Sequence, residues 1–152
     1  MSRVINWEIV PVSNEHRHGW NRLCAAYAAF YRVDQTDRTR ELVWQWLVDP
    51  DHSLRGLIAL DDTRMPAGIA HYRTVPQSLA GERSGFLDDL FVDSARRGVG
   101  VARALLGALA QIGRVEGWNS LSWMTAEDNY RARALYDQVA TKTIYVTYRM
   151  TL

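Results

Sequence analysis

Apolar positions recur along this chain with two periods, and the two alternate in blocks. Between His18 and Tyr31, residues Trp20, Leu23, Tyr27 and Phe30 fall at i, i+3, i+7 and i+10, one face of a helix. Val101, Leu105, Leu109 and Ile112 form the stripe of a second helix that runs to about Glu116 and is ended by Gly117. Asp34, Thr36 and Asp37 offer helix-start chemistry, and Leu42, Val43, Trp46 and Leu47 follow before Pro50. Tyr130 to Val139 predicts one more helix.

Strands are expected at Val4 to Val10 (closed by Pro11), Leu54 to Leu60, Ala67 to Arg73, Phe86 to Val92, Ser120 to Thr125 and Ile144 to Met150. In the last, Ile144, Val146, Tyr148 and Met150 alternate with Tyr145, Thr147 and Arg149. The turn at Asp61 to Pro66 makes a hairpin of its neighbours, and Val75 to Ser84, holding Pro76 and Gly81, reads as a loop. The order predicts an α/β (α+β) fold: one mixed sheet with helices on its faces.

Length and composition narrow the class. At 152 residues the chain fits one domain, 1–152. Its 47% hydrophobic and 23% charged content is globular, which excludes a disordered or low-complexity protein. A net charge of +1 provides no basic field for broad nucleic-acid binding. The single cysteine, Cys24, excludes an internal disulfide and a multi-cysteine metal site; it reads as core packing, with a nucleophile as the alternative. His16, His18, His52 and His71 lack metal-ligand spacing, so no metal is expected. No apolar run is long enough to span a membrane, and the stretch from Met1 to Val4 has no signal-peptide character, so the expected location is the cytoplasm.

The most informative stretch runs from Phe91 to Leu106. A strand enters a turn holding Gly98 and Gly100 and passes directly into a helix. The first amides of a helix lack intrahelical partners, and with the helix dipole they make an anion site. Glycines let the backbone approach a phosphate, and Arg97 can add charge. The P-loop and dinucleotide fingerprints do not fit: Val101-Ala102 follows Gly100 where Lys-Ser/Thr is needed, and the glycine spacing is wrong. Glycines that merely cap a turn are the plainer alternative.

The loop has company. Arg97-Gly98-Val99-Gly100-Val101-Ala102 resembles the Q/R-x-x-G-x-G/A motif of the GNAT superfamily of N-acetyltransferases. Leu87-Asp88-Asp89-Leu90-Phe91-Val92 resembles its acidic and apolar strand, and Asn129-x-x-Ala132-x-x-x-Tyr136 its later Asn/Tyr helix. Trp123-x-Thr125-x-Glu127-x-Asn129, with Arg133-x-Leu135-Tyr136-Asp137, is similar to the histone/polyamine branch. The likeness is concentrated from about Phe86 to Asp137; Asp137 to Lys142 and Ser94 depart from the usual Gly-Phe pair and proline.

The resemblance implies a single-domain fold with a mostly antiparallel sheet of about six to seven strands and four helices. It implies acetyl-CoA as donor, an amine as acceptor, direct transfer and a V-shaped opening between the central strands. Pantetheine is expected along Leu90, Phe91 and Val92, and the pyrophosphate on the amides from Gly98 through Val99, Gly100, Val101 and Ala102 to Arg103, beside Arg97. Asn129 is expected to bind the pantetheine arm. A homodimer, formed through the last strand, is also implied. The alternative function is a non-catalytic acyl-CoA-binding or sensing module.

The chemistry adds two roles. An alkyl ammonium of pKa about 10.4 is neutral in roughly one molecule in 10³ at pH 7, so a base is useful. Asp88 is the candidate base, with attraction of a cationic amine or a structural pairing as its alternatives. Asp88 and Asp89 should face opposite sides of their strand unless a bulge intervenes. Tyr136 is the candidate acid for the leaving thiolate, and a backbone N–H between Asp88 and Phe91 the candidate oxyanion donor. Arg96, Arg103, Arg131 and Arg133 are candidates for the 3′-phosphate. His71 reads as structural. Tyr27, Tyr31, Asp34, Trp44, Trp46, His71, Tyr72 and the 75–84 loop are expected on the acceptor side, where a small amine, polyamine, amino acid, aminoglycoside or protein lysine would bind.

Overall fold

A computed structural model describes residues 4–152, so of the N-terminal stretch read above, Met1 to Arg3 lie outside the described residues. Five strands form one sheet in chain order: β1 (Glu8–Pro11), β2 (Arg55–Leu60), β3 (Pro66–Gln77), β4 (Glu82–Val92) and β5 (Trp118–Trp123). The first four are antiparallel and β5 joins β4 in parallel, because a helix makes the crossover between them. The helices are α1 (Arg17–Phe30), α2 (Asp37–Val48), α3 (Val101–Glu116) and α4 (Tyr130–Val139).

The sheet's alternation sends residues into two cores. Leu57, Ala59, Ala70, Tyr72 and Leu87 meet Val101, Leu105, Leu106 and Leu109 of α3. Ile58, Leu60, Ile69 and Phe91 meet Trp20, Leu23 and Cys24 of α1 and Trp44 of α2. Each fully buried Leu or Ile contributes about 1.5–3 kcal/mol, so the α3 stripe is the main reason that helix lies where it does. Thr36 caps α2, accepting from the Thr39 amide at 3.1 Å. Trp118 fits against α3 and β4 because Gly85 and Gly113 leave room for its ring; a Cβ on either would come within 3 Å of it.

Three expectations are corrected. β1 begins at Glu8, not Val4, because Trp7 turns away to donate to the Val99 carbonyl at 2.9 Å. The 75–84 stretch is a ladder rather than a loop: it pairs down to Gln77 and Glu82, and only 78–81 turn. Gln77 donates to Ser84 across it at 2.7 Å. The strand expected at Ile144 to Met150 does not form, so among the described residues the sheet has five strands, not six or seven. Its alternating pattern is intact, but a strand needs a neighbour to exchange hydrogen bonds with, and this chain provides none beside it.

Candidate active site

The β4–β5 ladder stops at Leu87 opposite Trp123. β4 runs five residues further, to Val92, paired only with β3. Asp93 donates to the Ala67 carbonyl at 2.8 Å, which fixes the alternation of the ladder. It leaves the backbone groups of Leu90 and Val92 pointing to the open side. The Val92 carbonyl accepts there from Arg97 Nε at 3.3 Å. This is the expected V-shaped opening. It holds a cleft of about 500 Å³, walled by β4, α1, the glycine loop and α4.

The floor at one end is the glycine loop. Gly98 and Gly100 have φ of 78° and 90°, a region that favours glycine. Gly100 precedes α3, whose first intrahelical bond in this turn is Ala104 N–H to the Gly100 carbonyl. The amides of Val101, Ala102 and Arg103 are thus without intrahelical partners at the positive end of the helix. Four tethers hold the loop. Trp7 bonds Val99, Arg22 pairs with Asp93 at 2.8 Å, Arg96 pairs with buried Asp61 at 2.7 Å, and Arg97 bonds Val92. Arg97 also lies over the Phe30 and Phe91 rings. Arg96, Arg103 and Arg131 reach the cleft wall, whereas Arg133 is turned to the Glu127 carbonyl. Of the expected cofactor residues, Leu90, Phe91, Val92, Arg97, Gly98, Gly100, Val101, Ala102, Arg103, Asn129 and Tyr136 line the cleft. Val99 does not; it is held outside by Trp7.

Tyr136 faces the cleft from α4 and packs edge-on against Trp123, with centroids 5.3 Å apart. Burial, then the neighbouring Tyr31, pushes its pKa up, so it stays a phenol and can donate. Asn129 caps α4 by accepting from the Ala132 amide at 3.4 Å.

The two acids differ from expectation. The register shifts at His71/Tyr72: His71 faces Asp89 and Tyr72 faces Leu87, so Asp88 is the extra residue of a bulge. The bulge cancels the alternation and turns both carboxylates toward the α1 side. Asp88 binds Arg73 at 3.0 Å, and Arg73 stacks on Phe86. It is absent from the cleft wall. Asp89 instead meets His71 Nδ1 at 3.0 Å and, like Asp88, is absent from the cleft wall.

On the acceptor side only Tyr27 and Tyr31 of the expected residues line the cleft. Trp44 is buried in the α1–α2 core, Trp46 stacks on His52, and Tyr72 packs on the other face under Arg55. Phe30, on the expected face of α1, was legible as core and proves to be cleft wall. Cys24 is buried, and burial raises its pKa, which suits packing rather than attack. Among the described residues no cluster of three or more His, Cys, Asp or Glu could hold a metal, and no helix is long and apolar enough to cross a membrane.

Comparison with known proteins follows the same lines. The profile of the Acetyltransferase (GNAT) family matches residues 20–140. The D-amino-acid N-acetyltransferase HPA3 of Saccharomyces cerevisiae is 29% identical over 150 residues, 97% of this chain and 93% of that protein. Two solved structures have the same fold, each with a TM-score of 0.82. The ribosomal-protein-alanine N-acetyltransferase of Brucella melitensis biovar Abortus 2308 is 23% identical, with 97% of this chain and 99% of that one covered. The aminoglycoside N-acetyltransferase AAC(6')-Iy, in complex with CoA, is 19% identical, with 99% and 98% covered.

Proposed function

The chain belongs to the acetyltransferase (GNAT) family, and from that membership we propose that it moves an acetyl group from acetyl-CoA directly to a small primary amine. The observation that carries the proposal is the opening beyond Leu87 and Trp123, with β4 backbone free of β5 on one side, α3 amides without intrahelical partners at one end and a phenol opposite.

In this reading the α3 amides and Arg97 hold the pyrophosphate, and the pantetheine runs along Leu90 and Val92 as an added strand. The Leu90 N–H is the donor for the oxyanion. The amine nitrogen bonds the thioester carbon as the C–S bond breaks. Tyr136 gives its proton to the sulfur, and the amine's surplus protons leave to solvent and restore the phenol. The net products are the amide, CoA thiol and one proton. The D-amino-acid acceptor of the yeast relative puts D-amino acids first among amines to test. Asp88, tied to Arg73 outside the cleft, fits a base less well than sequence alone suggested.

The reading includes a homodimer. Ile144, Tyr145, Val146, Tyr148 and Met150 are between 74% and 93% exposed, which is unlike a finished surface. The outer edge of β5 carries no strand. The C-terminal segment of a second copy would complete both.

CoA release from acetyl-CoA, read with a thiol reagent against D-amino acids, polyamines, an aminoglycoside and a lysine peptide, tests the function. Tyr136→Phe should lower kcat by about 10²-fold with little change in acetyl-CoA affinity. Tight acetyl-CoA binding without turnover of any amine would count against transfer.

A further inference from the structure

Three arginines hold the glycine loop, and two of them are locked by carboxylates. Arg22 pairs with Asp93 at 2.8 Å and Arg96 with buried Asp61 at 2.7 Å. Arg97 is held differently. Among the described residues it has no ion pair. Its partners are the Val92 carbonyl, 3.3 Å from Nε, and the faces of Phe30 and Phe91, 5.0 and 5.7 Å from the guanidinium carbon. Only Nε is engaged, so both terminal nitrogens of the fork are left unfilled.

That resting place lies where the donor arm is expected. Arg97, Phe30, Phe91 and Val92 all line the cleft. Beyond Leu87 the outward backbone groups of β4 are free of β5, yet Arg97 already donates to the Val92 carbonyl on that side. An arm paired along Leu90 and Val92 as an added strand claims the same carbonyl. The carbonyl has a second lone pair, but the guanidinium also fills the cleft in front of Phe91. Arm and guanidinium cannot both be there. Arg97 directly precedes Gly98, so rotation about its side-chain bonds carries the guanidinium from the β4 wall to the glycine loop while the backbone stays in place. A diphosphate at the loop is a stronger partner than two ring faces and a neutral carbonyl.

We infer that Arg97 is a latch on the donor channel: it closes the β4 edge in the free protein and leaves it for a diphosphate, so the site selects thioesters that carry this anion over the bare pantetheine arm. Phe30 is the positioning residue, since its ring, supplied from α1, marks where the guanidinium rests. The inference rests on the donor placement in the transfer reading above. It adds to that reading a residue that opposes the arm before it assists the phosphates.

A latch and a plain phosphate ligand differ in the sign of one effect. Dissociation constants for acetyl-CoA and S-acetylpantetheine are measured by calorimetry, the weaker ligand by competition. Arg97→Ala should weaken acetyl-CoA about 10-fold, because the lost charge-assisted contact outweighs the opened channel. It should tighten S-acetylpantetheine about 5-fold, the gain expected when a closed state holding about four in five molecules is removed. Phe30→Leu should tighten both ligands about 3-fold. Phe30 is 53% exposed, so this variant serves if Arg97→Ala does not fold. In NMR spectra of the free protein the Arg97 side-chain protons should be shifted upfield by the two rings. They should return toward ordinary values on saturation with acetyl-CoA.

S-acetylpantetheine binding that is unaltered in Arg97→Ala, or undetectable in both proteins, overturns the latch while the donor site stands. So does a Phe30→Leu variant that tightens neither ligand, or an Arg97 signal that stays in place at saturation. A wild type that binds neither compound overturns the donor placement, and this inference with it.

Discussion

Residues 93–100 and residues 140–152 are both without regular strand or α-helix, yet they are different kinds of structure. The first is tethered four times, through Trp7, Arg22, Asp61 and the backbone of Val92. Among the described residues the second has one side-chain bond to the rest of the fold, Thr147 to Met124 at 3.2 Å, and every residue in it is exposed. The loop is also far less apolar than the segment. A coil is held by polar side chains aimed at its backbone and flanks. An apolar alternating segment is held only when a sheet accepts it.

The largest effect expected from that contrast lies in the loop's backbone. Gly100→Val puts a β-branched residue at φ 90° and a side chain where a phosphate would approach. The strain, on the order of 1–3 kcal/mol, is carried by the free protein and should lower its melting temperature by roughly 2–4 °C per kcal/mol. The side chain in the path of the phosphate should lower acetyl-CoA affinity by calorimetry about 10–100-fold. An unaltered affinity would remove the loop from the donor site.

A smaller effect is expected from the segment. In an isolated copy Val146 is 74% exposed, so Val146→Asp should leave thermal stability of the monomer unchanged. In a dimer built on this segment the charge is buried twice. Sedimentation equilibrium should then give a dimer dissociation constant raised at least about 10-fold. A wild type that is monomeric at high concentration, or a dimer indifferent to Val146→Asp, would leave the segment with no partner of its own kind.

The same contrast explains what could be read from the amino acids. The place of the loop on the cleft was legible because it rests on local chemistry: two glycines, an arginine and a helix start, contiguous from Arg97 to Ala102. Tyr136 and Asn129 were legible because seven residues of helix fix their relative placement. The neighbours of Asp88 and Asp89 were not, because they depend on a bulge opposite His71 and Tyr72. Nothing local marks which residue of Leu87-Asp88-Asp89-Leu90 is the extra one. The acceptor wall was half legible for a similar reason. Tyr27 and Tyr31 belong to it, whereas Trp44 shares their aromatic character and faces the core. The last strand was misread because an alternating pattern states what a segment can become, and no strand of the sheet lies beside it.

The smallest expected effect tests the tethers themselves. Asp61 is buried at the β2–β3 turn, where its carboxylate accepts from the Thr63 hydroxyl, the Met65 and Thr63 amides and Arg96. Those bonds, the Thr63 hydroxyl first, hold its pKa down at about 2, against an ordinary 3.8. A depressed folded value means that the stabilisation is fully present above the unfolded pKa and is lost as pH falls through the folded one. Asp61→Asn should therefore lower the melting temperature at pH 7 by on the order of 5 °C, the consequence of weakened charge-assisted bonds. The gap between variant and wild type should stay constant down to about pH 4 and close toward pH 2. It should also free Arg96 and cost acetyl-CoA about 3-fold in affinity, a small loss because the other three tethers remain. If the melting gap held constant through pH 2, the Asp61 charge would not be what fixes the turn. If affinity fell as far as in Gly100→Val, one tether would be carrying the loop, and the difference between a multiply held coil and a segment with a single bond would lose its force.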